Sequence, residues 1–200
     1  MQVSEIIGRV RSLVSDQDKV SITDRELIDW INDAVFELSR ILEYKQRSAK
    51  TDVVYKTKEY DLSDNMIIIY GVKYKGYTLD PMNHNEFYQL TENEGIPCNY
   101  VVLGEKILLY PTPNENVTDG LEVFYLDRPK FVSSPVDYPD LPIEYHPRIV
   151  EYCVSQAYMK DAQFDAAANM KNSFNANAIT HLGAKDGSSY PHIRSVMEYE

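Results

Sequence analysis

The side chains able to do chemistry are few and scattered. The histidines, His84, His146, His181 and His192, show no HExxH or His-x-His spacing, and none stands beside a cysteine pair, so they match no metal-ligand pattern. Each reads as an exposed or capping residue. Cys98 and Cys153 are too far apart for a CxxC site and too few for a disulfide framework, and read as small apolar packers. The chain has no GxGxxG, GxxxxGK[ST] or GxSxG string, and Gly183-Ala184-Lys185-Asp186-Gly187-Ser188 carries its lysine on the wrong side of the second glycine. A hydrolase needs two carboxyls set across a cleft, for which Glu92, Glu94 and Glu105 are the candidates, but loop acids of this kind are ordinarily solvated. Asp16, Asp18, Asp137 and Asp140 are turn formers by the same logic. No catalytic, metal or cofactor site is expected.

One residue type is in excess. The chain has 16 tyrosines among 200 residues, against 6 phenylalanines and 1 tryptophan. Ten of them fall between residues 46 and 138, where Tyr70, Tyr74, Tyr77, Tyr88 and Tyr100 have two readings. They are strand formers that pack a small sheet, or they line a contact between subunits or with a further protein, where an apolar ring with a polar tip suits both wet and dry surroundings.

The elements that must position these residues follow from periodicity. Val3, Ile6, Ile7, Val10, Leu13 and Val14 form one helical face, ended by the polar run from Ser15 to Lys19. Thr23 with Glu26 three residues on is a capping box, opening a helix that carries Leu27, Trp30, Ile31, Ala34, Val35, Leu38, Ile41 and Leu42. From Gln46 the period falls to two. Strands are expected at Val53-Val54-Tyr55 with Thr57, at Met66–Tyr70, at Val72–Leu79 around Lys75-Gly76, in a hairpin turning at Gly104-Glu105, and at Leu121–Leu126. Asn83 to Leu90 reads as a short helix capped by Asn83. After a proline-rich connector, Ile149, Val150, Cys153, Val154, Ala157 and Tyr158 restore helical spacing, with Pro147 in the first turn. A further helix carries Phe164, Ala167, Met170, Phe174 and Ala178 up to Gly183.

The expected fold class is α+β: a four-helix bundle-like body made from two helical hairpins, a β-rich insertion, and an extended C-terminal tail. The boundaries are 1–45, 46–138, 139–183 and 184–200. Net charge is −11, spread as −3, −5 and −3 over 1–45, 46–138 and 139–200, which argues against a protein that grips phosphate. No apolar run approaches the length of a membrane span and no secretory signal opens the chain, so a soluble protein made inside the cell is expected, without membrane contact.

Several strings together carry a family likeness. Ile107-Leu108-Leu109-Tyr110-Pro111-Thr112-Pro113, Leu121-Glu122-Val123-Phe124-Tyr125-Leu126-Asp127-Arg128-Pro129 and Leu141-Pro142-Ile143-Glu144-Tyr145-His146, leading into Ile149-Val150-Glu151-Tyr152 and Ala157-Tyr158-Met159-Lys160-Asp161, occur in an order that resembles the head-to-tail adaptor (connector) proteins of tailed bacteriophages. The likeness covers residues 1 to about 180. It implies a structural virion protein of the neck, assembled in the host cytoplasm. Such a protein forms a ring, usually of twelve copies, beneath the portal, and this ring extends the DNA channel and receives tail or nozzle proteins. DNA would pass through the lumen without specific binding, so inward-facing acids are expected. In that family the C-terminal segment reaches the portal, which would make Tyr190, Pro191, Ile193, Val196, Met197 and Tyr199 portal-docking residues here. The competing expectations are a peptide- or glycan-binding module with a tyrosine-rich β face, and a small carboxylate-based hydrolase.

Overall fold

The computed structural model describes residues 1–183 except Gln17, Lys19 and Val20, and gives residues 179–183 as backbone alone. The chain is α+β and divides into two compact units: Met1–Leu42 together with the chain from Lys130 onward, and Glu43–Pro129.

The first unit is helical. Helix α1 (Val3–Leu13) and helix α2 (Asp24–Ile41) precede the inserted unit. A 3-10 turn (Ile143–Tyr145), helix α4 (His146–Lys160) and helix α5 (Phe164–Gly183) follow it, the label α3 belonging to the insertion. The capping box at Thr23 forms as expected: the Glu26 N–H donates to Thr23 Oγ1 at 3.2 Å, and the Thr23 N–H donates to Glu26 Oε2 at 2.8 Å. Helices α1, α2 and α5 all pack on α4, whose buried Ile149, Cys153 and Ala157 meet the apolar stripes the periodicity predicts. The edge of the Tyr152 ring meets Phe174 at 5.3 Å between centroids, joining α4 to α5. Leu13 departs from its stripe and is 58 % exposed.

Residues 130–141 form a strap that belongs to this helical unit, and not to the β insertion in which 130–138 were expected. Asn32 on α2 clasps it through both halves of its amide, accepting from the Val132 N–H at 2.8 Å and donating to the Val132 carbonyl at 2.9 Å. The strap then caps α1. Its Asp137 and Pro135 carbonyls accept from the N–H groups of Val3 and Ser4, two of the donors that a helix start leaves without partners. A proline-rich stretch with no apolar alternation thus folds with the helices because it satisfies their backbone.

The inserted unit contains strands β1 (Gln46–Val53), β2 (Glu59–Asp61), β3 (Met66–Tyr74), β4 (Tyr77–Thr78) and β5 (Asp80–Pro81), then helix α3 (His84–Gln89). Strands β6 (Glu94–Gly95), β7 (Asn99–Leu103), β8 (Lys106–Tyr110), β9 (Thr112–Pro113) and β10 (Val117–Asp127) complete it. They form two four-stranded sheets, ordered β1-β10-β3-β4 and β2-β8-β7-β5, and a small parallel pair, β6-β9. The core lies between the two larger sheets and holds Val53, Val72, Tyr74, Leu79, Tyr100, Ile107, Leu109, Leu121 and Val123. Gly104 opens the β7–β8 hairpin at φ +60 while Glu105 keeps a negative φ, the Gly-first type II′ geometry expected there.

Two strand expectations change. The first strand is Gln46–Val53, whereas Val54 to Thr57 turn away, with Lys56 at φ +61 and the Tyr55 N–H donating to Asn116 Oδ1 at 2.7 Å. Met66–Tyr70 and Val72–Tyr74 are one strand, interrupted by a bulge at Tyr70: Phe124 pairs with Gly71 and Tyr125 with Ile69, leaving Tyr70 unopposed.

Candidate assembly surfaces

The five candidate tyrosines of the β unit part company. Tyr74 and Tyr100 are core residues. Tyr74 is 1 % exposed, its hydroxyl donates to Glu115 Oε1 at 3.2 Å, and burial together with the Glu115 charge pushes its phenol up to about 12. Burial likewise raises Tyr100. Within this chain their rings are used up as packing, the first of the two readings. Period-two alternation identified the strands but not which face a second sheet covers.

Tyr70, Tyr77 and Tyr88 lie at the surface. The bulge re-aims Tyr70, and partial burial and the Glu43 charge hold its phenol up at about 12 against an opposing hydrogen bond to Gln46. Tyr77, 75 % exposed, follows the tight turn in which Lys75 and Gly76 both take positive φ. Tyr88, 66 % exposed, rides on α3, a one-and-a-half-turn helix that buries none of its residues and is anchored through Asn83 at its N-cap and the His84 Nε2 contact to the Val102 carbonyl at 2.7 Å. Phe87, Tyr88, Leu90 and Tyr110 border a shallow cavity of about 210 Å³ beside it. Such apolar rings on a weakly packed helix are what a contact surface presents.

The acids proposed for hydrolysis are engaged otherwise. Glu92 stands 3.4 Å from Lys58 and Glu94 stands 3.0 Å from Lys56, while Glu105 lies in the β7–β8 turn. These exposed pairs hold the segment after α3 against the turn that follows β1. Among the described residues, no three His, Cys, Asp or Glu side chains gather as metal ligands would. Cys153 is fully buried and its thiol is pushed far above its usual range by desolvation. Among the described residues no helix is long and apolar enough to cross a membrane.

The helical unit offers a surface that periodicity did not reveal. Phe131, Val136 and Tyr138 on the strap and Ile143 in the 3-10 turn are all exposed, and the signal for them was four large apolar residues among prolines with no helical or strand period to bury them. The strap is held from beneath by Asn32 and by Asp137, whose carboxylate accepts from the N–H groups of Ser133 and Ser134 at 2.8 Å each and is lowered below its usual range as a result. A second opening, a groove of about 410 Å³, lies between α1 and α4 and is lined by Leu13, Pro147 and Val150 with Arg9, Ser12 and Glu151.

The interior of this unit also holds charge. Arg11, 4 % exposed, meets Asp16 and Asp24 at 2.7 Å each, and the Asp16 carboxylate accepts from the N–H groups of Ser21 and Ile22. This cluster ties α1 to Asp16 and to the first turn of α2. Tyr190, Pro191, Ile193, Val196, Met197 and Tyr199 lie outside the described residues.

A family model described as "SU10 adaptor protein" matches residues 1–195, spanning both units. No curated protein matches the chain.

Proposed function

The chain belongs to the SU10 adaptor protein family, a family of phage structural adaptors, and on that premise we propose that it is a head-to-tail adaptor of a tailed bacteriophage that forms a ring beneath the portal, most simply of twelve copies, and extends the DNA channel toward the tail. The observation that carries the reading is the family match over residues 1–195, which takes in the helical unit, the β unit and most of the segment beyond Gly183. In this reading the helical unit supplies the ring body. Tyr70, Tyr77 and Tyr88 serve contacts between subunits or with tail or nozzle proteins, and residues 190–199 dock on the portal. The net charge of −11 suits a channel that repels phosphate and lets DNA slide past.

Electron microscopy of the purified chain, alone and mixed with its portal, tests this directly. Rings seated on the portal are expected, and removal of residues 184–200 should abolish the attachment while the folded units persist by circular dichroism. A chain that stays monomeric and apart from the portal at every concentration tried overturns the proposal.

A further inference from the structure

The β unit treats its sheet edges unequally. Three of the four edges of the larger sheets are trimmed: β4 has two residues, β2 has three, and β5 has two and ends on Pro81. The fourth edge, β1, runs for eight residues, and from Gln46 to Asp52 all are exposed except the half-buried Ala49. Its register with β10 is unbroken from Gln46 to Thr51. Native sheets shorten, bulge or proline-block an exposed edge because its free N–H and C=O groups recruit other chains. Three edges here are cut short, whereas β1 keeps its length, with an irregularity only toward Val53 and charges at Arg47, Lys50 and Asp52.

The open groups of β1 can be assigned. The Asp127 N–H donates to the Lys45 carbonyl, and the register places these residues opposite one another. Directly opposed residues of an antiparallel pair alternate between bonded and non-bonded, so Arg47, Ala49 and Thr51 bond β10. The backbone groups of Gln46, Ser48 and Lys50 therefore point away from the sheet.

A complementary edge exists elsewhere on the same unit. In the segment Leu90–Ile96 the Asn93 carbonyl accepts from the Thr112 N–H at 2.9 Å, and Glu94–Gly95 pair with Thr112–Pro113. The backbone groups of Glu94 accordingly face away from β9. Leu90 and Ile96 at the two ends are exposed. The segment offers Glu92, its side chain 91 % exposed in a loose 3.4 Å contact with Lys58, and Glu94, which meets Lys56 at 3.0 Å; β1 offers Lys50, its Arg47 already meeting Asp127 at 3.2 Å.

We propose that β1 of one copy pairs along its open edge with the acidic segment Leu90–Ile96 of the next copy, an inference that takes the ring from the function proposed above. The two surfaces differ, so the contact is heterologous and can repeat around a closed ring. Main-chain hydrogen bonds supply the adhesion, and attraction of Lys50 to Glu92 and Glu94, in exchange with their present lysine partners, adds selectivity.

The test uses the full chain with its portal. Ser48→Pro removes an outward N–H and leaves every β10 ladder bond in place, so the concentration needed for ring assembly should rise at least tenfold with the melting temperature unchanged. Ser48→Ala should assemble as the wild type does. Lys50→Glu should weaken assembly, and adding Glu94→Lys should restore it, a rescue that carries the test if the proline variant folds poorly. Amides of residues 46–50 should exchange more slowly in the ring than in the free chain. Rings of Ser48→Pro at the wild-type concentration, or β1 amides that exchange equally fast in both states, overturn the strand pairing and leave the ring reading standing. A wild-type chain that never forms rings overturns both.

Discussion

The two units hold themselves together across very different lengths of chain. The helical unit is closed by contacts between its far segments: Asn32 with Val132 across 100 residues, and Glu26 with Lys160 across 134. The β unit is one continuous stretch whose longest such side-chain contact, Arg47 with Asp127, spans 80. Closing a loop of about 90 residues costs on the order of 4 kcal/mol in chain entropy beyond a constant term. The helical unit must recover that cost from its interior, whereas the β unit can be complete before the helices meet. A side-chain clasp therefore sits where the helical chain returns on itself, whereas the β unit closes its own long return with the β1–β10 ladder.

This contrast can be broken, or sharpened, at chosen residues. Phe174→Ala empties the largest aromatic site between α4 and α5 and should cost about 3–5 kcal/mol. Hydrogen exchange should then show lost protection in the helical unit with the β7–β8 hairpin still protected; equal loss in both units would refute their separateness. Next comes Arg11→Ala. It removes the guanidinium from the buried Asp16 carboxylate and should cost about 3 kcal/mol by chemical denaturation. Asn32→Ala leaves the Val132 N–H and C=O without their clasp, and about 1–2 kcal/mol should be lost, with proteolysis of the strap appearing before global unfolding.

A weaker effect comes from pH. Burial lowers His146 below its ordinary value of 6.5, against a hydrogen bond from Nε2 to the Leu141 carbonyl that pulls the other way. The unfolded chain then binds a proton that the folded chain resists. Stability from this group is full above about pH 6.5 and falls as the pH drops below it. His146→Gln should flatten that part of a melting-temperature profile. The smallest change expected is a gain: Asp33 is raised by burial and by Asp29 and Glu37 one turn to either side, so Asp33→Asn should stabilise by about 0.2–0.5 kcal/mol.

The helical unit was the more legible in the sequence, because a 3.6-residue stripe names both the element and its buried face. Thr23 and Glu26 announced a helix start in the same way. Arg11 escaped notice, since an arginine on a helix ordinarily faces water and its two carboxylate partners lie in the next turn and the next helix. The strap escaped because its role is to satisfy the α1 backbone, and backbone demand leaves no mark on side-chain periodicity. In the β unit, alternation located β3, β7, β8 and β10. It could not tell Tyr74 from Tyr77, which differ only in whether the second sheet lies over them. β1 itself was misplaced toward Val53–Thr57, because a strand polar on both faces has no alternation to read. The candidate surfaces inherit this asymmetry: excess tyrosine marked the β unit, and only the fold separated its packing residues from its exposed ones.

The pairing of β1 with β10 has a consequence for inheritance. These are the first and last strands of the insertion and they run antiparallel, so Gln46 stands beside Leu126 where the chain enters and leaves. The departure and return points are thus one strand spacing apart, about 5 Å. A gene segment encoding the β unit can be lengthened, trimmed or exchanged without moving the two ends that the helices require. The insertion can therefore be exchanged at two adjacent seams without altering the path of the chain that flanks it.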